Sequence, residues 1–115
     1  MAVMQDVVAP RVEVLYFDGC PSYSDLLPRL REIVEQAGGD PDNIRTRRIE
    51  TPSAAVEERF LGSPTVRVDG HDIDPGAEHR TDYALTCRIY QSASGASRVP
   101  PENWLRDALR TPPRP

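Results

Sequence analysis

The residues most able to carry out chemistry in this chain are its two cysteines, Cys20 and Cys87. Cys20 belongs to the motif Gly19-Cys20-Pro21, which follows the apolar run 12–17 and precedes a helical pattern. Backbone N–H groups and the helix dipole stabilise a thiolate at the start of a helix, which makes such a cysteine a nucleophile or a soft-metal ligand. Cys20 is therefore the first candidate catalytic residue. The competing interpretation is a buried, unreactive thiol at the end of a strand.

Cys87 is the second candidate catalytic residue, and its segment 83–90 alternates in a way that predicts a strand. The predicted inward face carries Tyr83, Leu85, Cys87 and Ile89. These apolar neighbours favour a packed thiol, yet a strand in this region can also bring Cys87 next to Cys20 as its resolving partner. A disulfide between them would close a long loop, which stabilises the oxidised form by about 4 kcal/mol in loop-closure entropy.

The composition restricts the class of protein. At 115 residues the chain fits one domain, predicted over 1–110, and the proline-rich tail 111–115 is expected to be flexible. The net charge is -4, which does not favour a nucleic-acid partner, although every positive side chain is arginine. The cluster of Arg45, Arg47 and Arg48 can bind an anion, but the favoured interpretation is a solvated strand face.

The sequence also predicts a cytoplasmic protein that does not bind membranes. Its apolar stretches are only a few residues long, far below the roughly 20 that span a bilayer. The segment 1–10 lacks the basic start and apolar core of an export signal. Two cysteines do not make the disulfide framework of a secreted protein, so both are expected to be thiols in a reducing cytosol.

The elements that must position the cysteines follow from periodicity and turn residues. The predicted strands span 12–17, 44–49, 65–68, 71–73 and 83–90, and the predicted helices span 24–37, 54–60 and 101–110. The first strand is rich in aromatic and β-branched residues and contains no breaker, so it is expected to be buried on both faces. Because a helix links the first two strands, we expect them to be parallel, whereas Asp69-Gly70 predicts an antiparallel hairpin. The result is an α/β fold with a small mixed sheet. Cys20 then lies beyond the carboxyl end of the first strand, where open sheets form sites.

The start of the first helix and the loop before the last helix are also predicted by residue type. Ser24 is the predicted N-cap of the first helix, with Pro21 as a first-turn residue if the helix begins earlier, and Pro28 would then bend it. The Ser, Gly and Ala residues between 90 and 101 predict a loop.

The order of elements around two motifs resembles the thioredoxin-like superfamily. The motifs are Gly19-Cys20-Pro21 after the first strand and Gly62-Ser63-Pro64-Thr65-Val66 before the hairpin. The resemblance covers 12–73 and, after an insertion, the final helix. It implies a β-α-β-α-β-β arrangement, with an extra strand and a C-terminal helix. It also implies a cis Ser63–Pro64 bond, with Pro64 facing Cys20 across a groove.

More narrowly, the chain is similar to small bacterial thioredoxin-like proteins, some of which carry names related to alkylmercury lyase. The matching motifs are Phe17-Asp18-Gly19-Cys20-Pro21, Gly62-Ser63-Pro64-Thr65, Val68-Asp69-Gly70 and Cys87-Arg88-Ile89-Tyr90. The chain departs from the dithiol pattern at Tyr23, where a C-x-x-C pair would have its second cysteine. Cys20 must therefore act alone, with Cys87, or with an external thiol such as glutathione.

The predicted groove residues surround Cys20 and the proline motif. They are Pro21, Ser22, Tyr23, Ser63 and Pro64. Ser22 and Tyr23 can hydrogen-bond to a thiolate or a ligand. Alternatively, Ser22 caps the helix and Tyr23 is a half-buried surface ring.

The main hypothesis is thiol–disulfide exchange, or a related thiol transfer, through Cys20. Its substrate would be a thiol or disulfide, either glutathione or a protein, and no cofactor is predicted. One alternative is soft-metal binding, in which Cys20 and Cys87 hold Hg(II) or Cu(I), as in mercury resistance. Another is a redox-inactive interaction module that binds a partner in the groove. The remaining metal-type residues match no zinc or calcium spacing and indicate polar hairpin ends; they are His71, His79, Asp72 and Asp74.

Overall fold

The computed structural model describes residues 10–110 of the chain. The predicted flexible tail 111–115 and nearly all of the segment 1–10 lie outside the described residues. None of the helices in the described part is both long and apolar enough to cross a membrane.

The described residues form a mixed α/β structure. In chain order its elements are β1 (Val12–Tyr16), α1 (Pro21–Gln36), β2 (Arg45–Arg48), α2 (Pro52–Glu57), β3 (Thr65–Val68), β4 (His71–Asp72), β5 (Tyr90–Ser92), β6 (Gly95–Ser97) and α3 (Glu102–Arg110). Short 3₁₀ turns lie at Pro41–Asn43 and Ala77–His79. The first six elements and the last one lie where the sequence predicts them, with shifts at their ends.

Four strands form the main sheet in the order β2-β1-β3-β4. β1 pairs with β2 in parallel, so that Val14 lies opposite Thr46. β3 is antiparallel to both β1 and β4. The predicted parallel first pair and antiparallel hairpin are confirmed. The physical reasons are the helical crossover between β1 and β2 and the tight turn at Asp69-Gly70.

The sheet is covered on both faces, and β1 supplies residues to both. One apolar cluster joins the sheet to α1 and α3 and consists of Val12, Val14, Leu26, Leu30, Ile33, Val34, Val66, Val68, Ile73 and Leu105. The other lies beside α2 and consists of Leu15, Ile49, Ala55 and Phe60. Val14 and Leu15 are adjacent and both fully buried, because successive strand residues face opposite sides. The predicted burial of β1 on both faces is confirmed.

β2 is an edge strand whose four residues are all exposed. Arg47 contacts Glu58 at 2.9 Å and Glu13 at 3.6 Å. The hydrogen bond from Arg47 lowers the pKa of Glu58. The arginine cluster is thus a solvated, ion-paired strand face, as expected, and its charge protects the edge from pairing with another chain.

α1 begins earlier than the preferred prediction. Cys20 is its N-cap and Pro21 its first residue, so the prediction of Ser24 as N-cap is wrong. Pro21 suits this place because the first helical N–H groups have no partner inside the helix. The helix continues through Pro28 to Gln36. The earlier start places Cys20 directly at the helix entrance.

The predicted strand 83–90 is wrong in both extent and facing. Regular strand begins only at Tyr90, and Cys87 makes an isolated bridge. Arg88 and Tyr90 are buried, whereas Cys87 and Ile89 are exposed. The prediction failed because it assumed that an arginine faces water, and Arg88 has buried carboxylate and ring partners instead. The predicted loop after it contains the β5–β6 hairpin, which pairs Gln91 with Ala96.

Candidate functional site

Cys20 lies almost completely buried at the entrance of α1, with 6% of its surface exposed. Its Sγ donates to the backbone carbonyl of Ser63 at 3.7 Å. Its side chain makes no capping hydrogen bond to α1. Gly19 before it has φ +86°, a conformation that L side chains rarely adopt, so this turn requires glycine. The turn delivers the thiol to Ser63 and away from solvent.

The peptide unit between Ser63 and Pro64, which we call the Ser63–Pro64 wall, contacts Cys20 through the Ser63 carbonyl. The Ser63–Pro64 bond is cis, as predicted. Ser63 is fully buried, and its backbone is paired on both groups: its N–H donates to the Thr86 carbonyl at 2.8 Å, and its carbonyl accepts from the Arg88 N–H at 2.9 Å. The Ser63 carbonyl therefore receives both the thiol of Cys20 and a backbone N–H of the later segment.

Cys87 lies between the two residues that pair with Ser63. It is the direct partner of Ser63 in a parallel bridge, and it is exposed. The expectation that Cys87 is a packed thiol is therefore wrong. Both cysteines are free thiols, and they flank the same residue from two elements that are distant in sequence. The Ser63 carbonyl oxygen accepts from both the Cys20 thiol and the Arg88 N–H, so it lies between these two groups.

Arg88 anchors the segment that carries Cys87. Its side chain is 1% exposed and donates to both carboxylate oxygens of Asp72, at 2.7 and 3.0 Å. It also donates to Thr65 Oγ1 at 3.1 Å and to Asp74 at 3.4 Å. Burial lowers the pKa of Arg88, but the hydrogen bond to Asp72 and the neighbouring charges raise it above its ordinary value. Arg88 is thus a permanent buried cation held by two carboxylates.

Tyr90 is the second buried anchor of this segment. Its hydroxyl donates to the Pro64 carbonyl at 2.5 Å, and the Arg88 guanidinium lies 4.5 Å from its ring centroid. Burial raises the pKa of Tyr90, so the hydroxyl keeps its proton and stays a donor. Arg88 and Tyr90 therefore contact Thr65, the first residue of β3, and Pro64 directly before it.

Gly62 allows the segment to approach this closely. A Cβ at Gly62 would lie 3.0 Å from Arg88 Cβ and 3.1 Å from the Thr86 carbonyl oxygen, and the residue has φ +121°. Thr65 Oγ1 donates to the Gly62 carbonyl at 2.6 Å. The predicted motif 62–66 is therefore a close-packed turn as well as a wall for Cys20.

The other predicted groove residues all lie at the start of α1 but differ in burial. Pro21 is exposed at the first position of α1, while Ser22 is buried within that helix. Tyr23 is half-buried, and its ring stacks on Tyr16 with centroids 3.9 Å apart and 5° between the planes. The stacking agrees with the interpretation of Tyr23 as a half-buried surface ring.

In the described part of the chain, the histidines and aspartates of β4 and of the segment after it do not form a metal site. Within residues 10–110 there is no group of three or more His, Cys, Asp or Glu residues placed to hold a metal ion. Asp72 and Asp74 are instead occupied by Arg88. His79 is exposed and lies 3.5 Å from Glu78.

Sequence reasoning missed Arg88, Tyr90 and Asp72 as residues of this site. One signal was present: two aspartates separated by one residue follow the Asp69-Gly70 turn, and a single arginine interrupts the apolar pattern of 83–90. Buried arginines require carboxylate partners, so a lone arginine in an otherwise apolar strand pattern can be matched to such a pair.

Comparison with protein-family models, with curated proteins and with solved structures finds no match to this chain. What the chain does must therefore be inferred from the chemistry of its own residues.

Proposed function

We propose that this chain is a thioredoxin-fold protein that carries out thiol–disulfide exchange through Cys20, with Cys87 as its partner thiol. The observation that carries the proposal is the meeting of both cysteines at Ser63. Cys20 Sγ contacts the Ser63 carbonyl at 3.7 Å, and Cys87 is the bridge partner of Ser63. Exchange that ends in an internal disulfide needs two thiols close together, and this arrangement supports it.

The finer fold assignment rests on agreement in several independent features. The β-α-β-α-β-β order, the parallel first pair of strands and the antiparallel hairpin match what the thioredoxin-like resemblance implies. The cis Ser63–Pro64 bond and its contact with Cys20 match it as well. The segment 74–100, between the hairpin and the final helix, is then an insertion that carries the second thiol.

The reaction needs only the two thiols and a disulfide substrate. A thiolate of the chain attacks one sulfur of an external disulfide, which forms a mixed disulfide and releases one external thiol. The other cysteine then attacks the chain's own sulfur in the mixed disulfide, which releases the second external thiol and forms the internal disulfide. Two electrons pass from the cysteines to the substrate, and their protons go to the released thiols. An external thiol such as glutathione returns the chain to its reduced state.

The proposal includes a cytoplasmic location, where glutathione keeps free cysteines such as these reduced. It disfavours the interaction module that binds a peptide as an added strand. Both backbone groups of Ser63 beside Cys20 are already paired with residues 86–88. A peptide would first have to displace that segment.

Soft-metal binding is the second candidate function, because two thiols flank one residue. Hg(II) and Cu(I) accept thiolate ligands, and two thiolates suffice for linear coordination. In this alternative Cys20 and Cys87 bind the metal ion together. Native mass spectrometry with one equivalent of metal tests it: Cys87→Ser must lose the bound ion that the unmodified protein holds.

The proposed exchange is tested by turnover of a small disulfide with glutathione as reductant. We expect steady turnover by the unmodified protein and a loss of about a hundredfold or more when both cysteines are replaced by serine, because no thiol then remains to attack the disulfide. Ser24→Ala, at an exposed position of α1, is the control and should retain full activity. Equal turnover by the double-serine variant, or no turnover by the unmodified protein, contradicts the proposal.

A further inference from the structure

The two thiols differ sharply in access to solvent. Cys20 is 6% exposed and its S–H is directed at the Ser63 carbonyl, whereas Cys87 is exposed. Attack on an external disulfide requires the sulfur of the substrate to approach the thiolate closely. An incoming molecule can reach Cys87 directly, but it can reach Cys20 only if the surrounding chain moves.

The chain itself occupies the backbone edge beside Cys20. The Thr86 carbonyl and the Arg88 N–H take both backbone groups of Ser63, as a strand added to a sheet edge would. The residue in register with Ser63 is Cys87. The segment 86–88 thus lies where an extended peptide would bind, and it presents a sulfur of its own at that register position.

The segment that carries Cys87 is exposed at the thiol but fixed on both sides. Arg88 is buried against Asp72 and Thr65, and Tyr90 is buried with its hydroxyl on Pro64. Cys87 therefore stays next to Ser63 while its thiol remains open to solvent.

A buried hydroxyl provides a further observation at the same place. Ser63 Oγ is fully buried, and no hydrogen-bond partner is found for it among residues 10–110. Ser63 is the residue that both cysteines flank. A buried hydroxyl without a partner is costly, and a thiolate is an acceptor that it could serve. The residue that both cysteines flank therefore carries a buried hydroxyl that is available to an acceptor.

From these observations we infer that Cys87 is the thiol that first attacks the substrate and that buried Cys20 is the resolving thiol. This inference rests on the proposed exchange function and reverses the roles that the sequence suggests. The substrate class is a small soluble disulfide of the glutathione-disulfide type, because the edge on which a peptide would extend is filled by residues 86–88.

The Cys87 thiolate attacks one sulfur of the small disulfide, so that a Cys87 mixed disulfide forms and one small thiolate leaves and takes up a proton. Cys20 then loses its proton and attacks Sγ of Cys87. The bond between Cys87 and the second small thiol breaks, and that thiol leaves with the proton. The products are the Cys20–Cys87 disulfide and two small thiols.

The inference is tested by intact-mass spectrometry of single-cysteine variants mixed with glutathione disulfide. In Cys20→Ser we expect a stable glutathione adduct on Cys87, since the resolving thiol is absent. In Cys87→Ser we expect the adduct on Cys20 to form at least about tenfold more slowly, because that thiol is buried. Cys20→Ala repeats the first measurement without a new hydroxyl, and far-UV circular dichroism checks that each variant is folded.

The outcomes separate this inference from the proposed function. If Cys87→Ser forms its adduct as fast as Cys20→Ser or faster, Cys20 is the attacking thiol and the inference is overturned, while exchange itself stands. If the unmodified protein yields adducts without any internal disulfide, the exchange proposal fails as well. An internal disulfide in the unmodified protein, together with the slower Cys87→Ser reaction, supports both.

Discussion

The entrance of α1 and the segment 86–92 meet at Ser63, but different forces hold them there. α1 is fixed by apolar packing, since its buried face of Leu26, Leu30, Ile33 and Val34 lies in the larger cluster. The segment 86–92 is fixed by polar contacts, chiefly Arg88 on Asp72 and Tyr90 on Pro64. One cysteine thus rests on hydrophobic burial and the other on a buried ionic network.

Because the forces differ, substitutions should affect the positions of the two cysteines differently. Apolar packing loses stability in proportion to the volume removed. A buried ion pair behaves asymmetrically, because removal of one partner leaves an uncompensated charge in the interior. The position of Cys87 should therefore be more sensitive to single polar substitutions than that of Cys20.

The largest expected effect comes from Asp72→Ala. It leaves the Arg88 guanidinium buried with Asp74 at 3.4 Å as its remaining carboxylate. We expect the free energy of unfolding in urea to fall by about 3 to 5 kcal/mol. Asp82→Ala is the matched control, because it removes the same charge from the exposed Arg80–Asp82 pair and should cost at most about 1 kcal/mol. Equal losses in the two variants would contradict a buried ionic anchor.

The apolar counterpart is Leu26→Ala, in the first turns of α1. Leu26 is buried, so we expect the free energy of unfolding to fall by about 2 to 4 kcal/mol. Leu27→Ala, at the half-buried neighbouring position, should lose clearly less. In urea titrations the comparison fails if Leu27→Ala is the more damaging substitution.

Tyr90→Phe removes a single hydroxyl from the polar anchor. The Pro64 carbonyl then loses its donor in the interior, so we expect unfolding to become easier by about 1 to 3 kcal/mol. Tyr23→Phe is the control, because the stacking of its half-buried ring on Tyr16 persists without the hydroxyl. A loss in Tyr23→Phe that equals the loss in Tyr90→Phe would show that the Pro64 contact adds nothing.

The same tyrosine predicts a pH dependence. Burial raises the pKa of Tyr90 in the folded chain, so the folded state holds this proton above pH 10, where the unfolded state releases it. The contribution is fully present below the unfolded value and falls as the pH rises above it, by at most about 1.4 kcal/mol per pH unit. Between pH 9 and 11 (roughly the window set by the tyrosine reference value), Tyr90→Phe should lose less stability than the unmodified protein. Parallel pH curves would contradict this assignment.

Much of the fold was readable because its signals are local. Apolar periodicity marked α1, adjacent apolar residues marked β1 as buried on both faces, and Asp69-Gly70 marked the β3–β4 turn. The start of α1 was misplaced because Ser24 is a good N-cap by type, while Pro21 fits an even earlier start. Both residue types favour the start of a helix, so residue type does not distinguish the two positions.

The segment around Cys87 was not readable by the same means. Apolarity placed Cys87 and Ile89 inward, but the inward residues are Arg88 and Tyr90. Their burial depends on Asp72 and Pro64, which are distant in sequence, so no local pattern contains it. Half of the candidate site, the Cys20 turn and the Ser63–Pro64 wall, follows from motifs. The other half follows from a buried ion pair that only the three-dimensional structure brings together.

Disulfide mapping after oxidation with glutathione disulfide tests directly whether Cys20 and Cys87 form a pair. The reduced protein is oxidised, digested without reduction and analysed by mass spectrometry. We expect a peptide pair joined by a Cys20–Cys87 disulfide, formed within single chains at low protein concentration. Glutathione adducts on the separate cysteines, with no joined pair at any degree of oxidation, would contradict it.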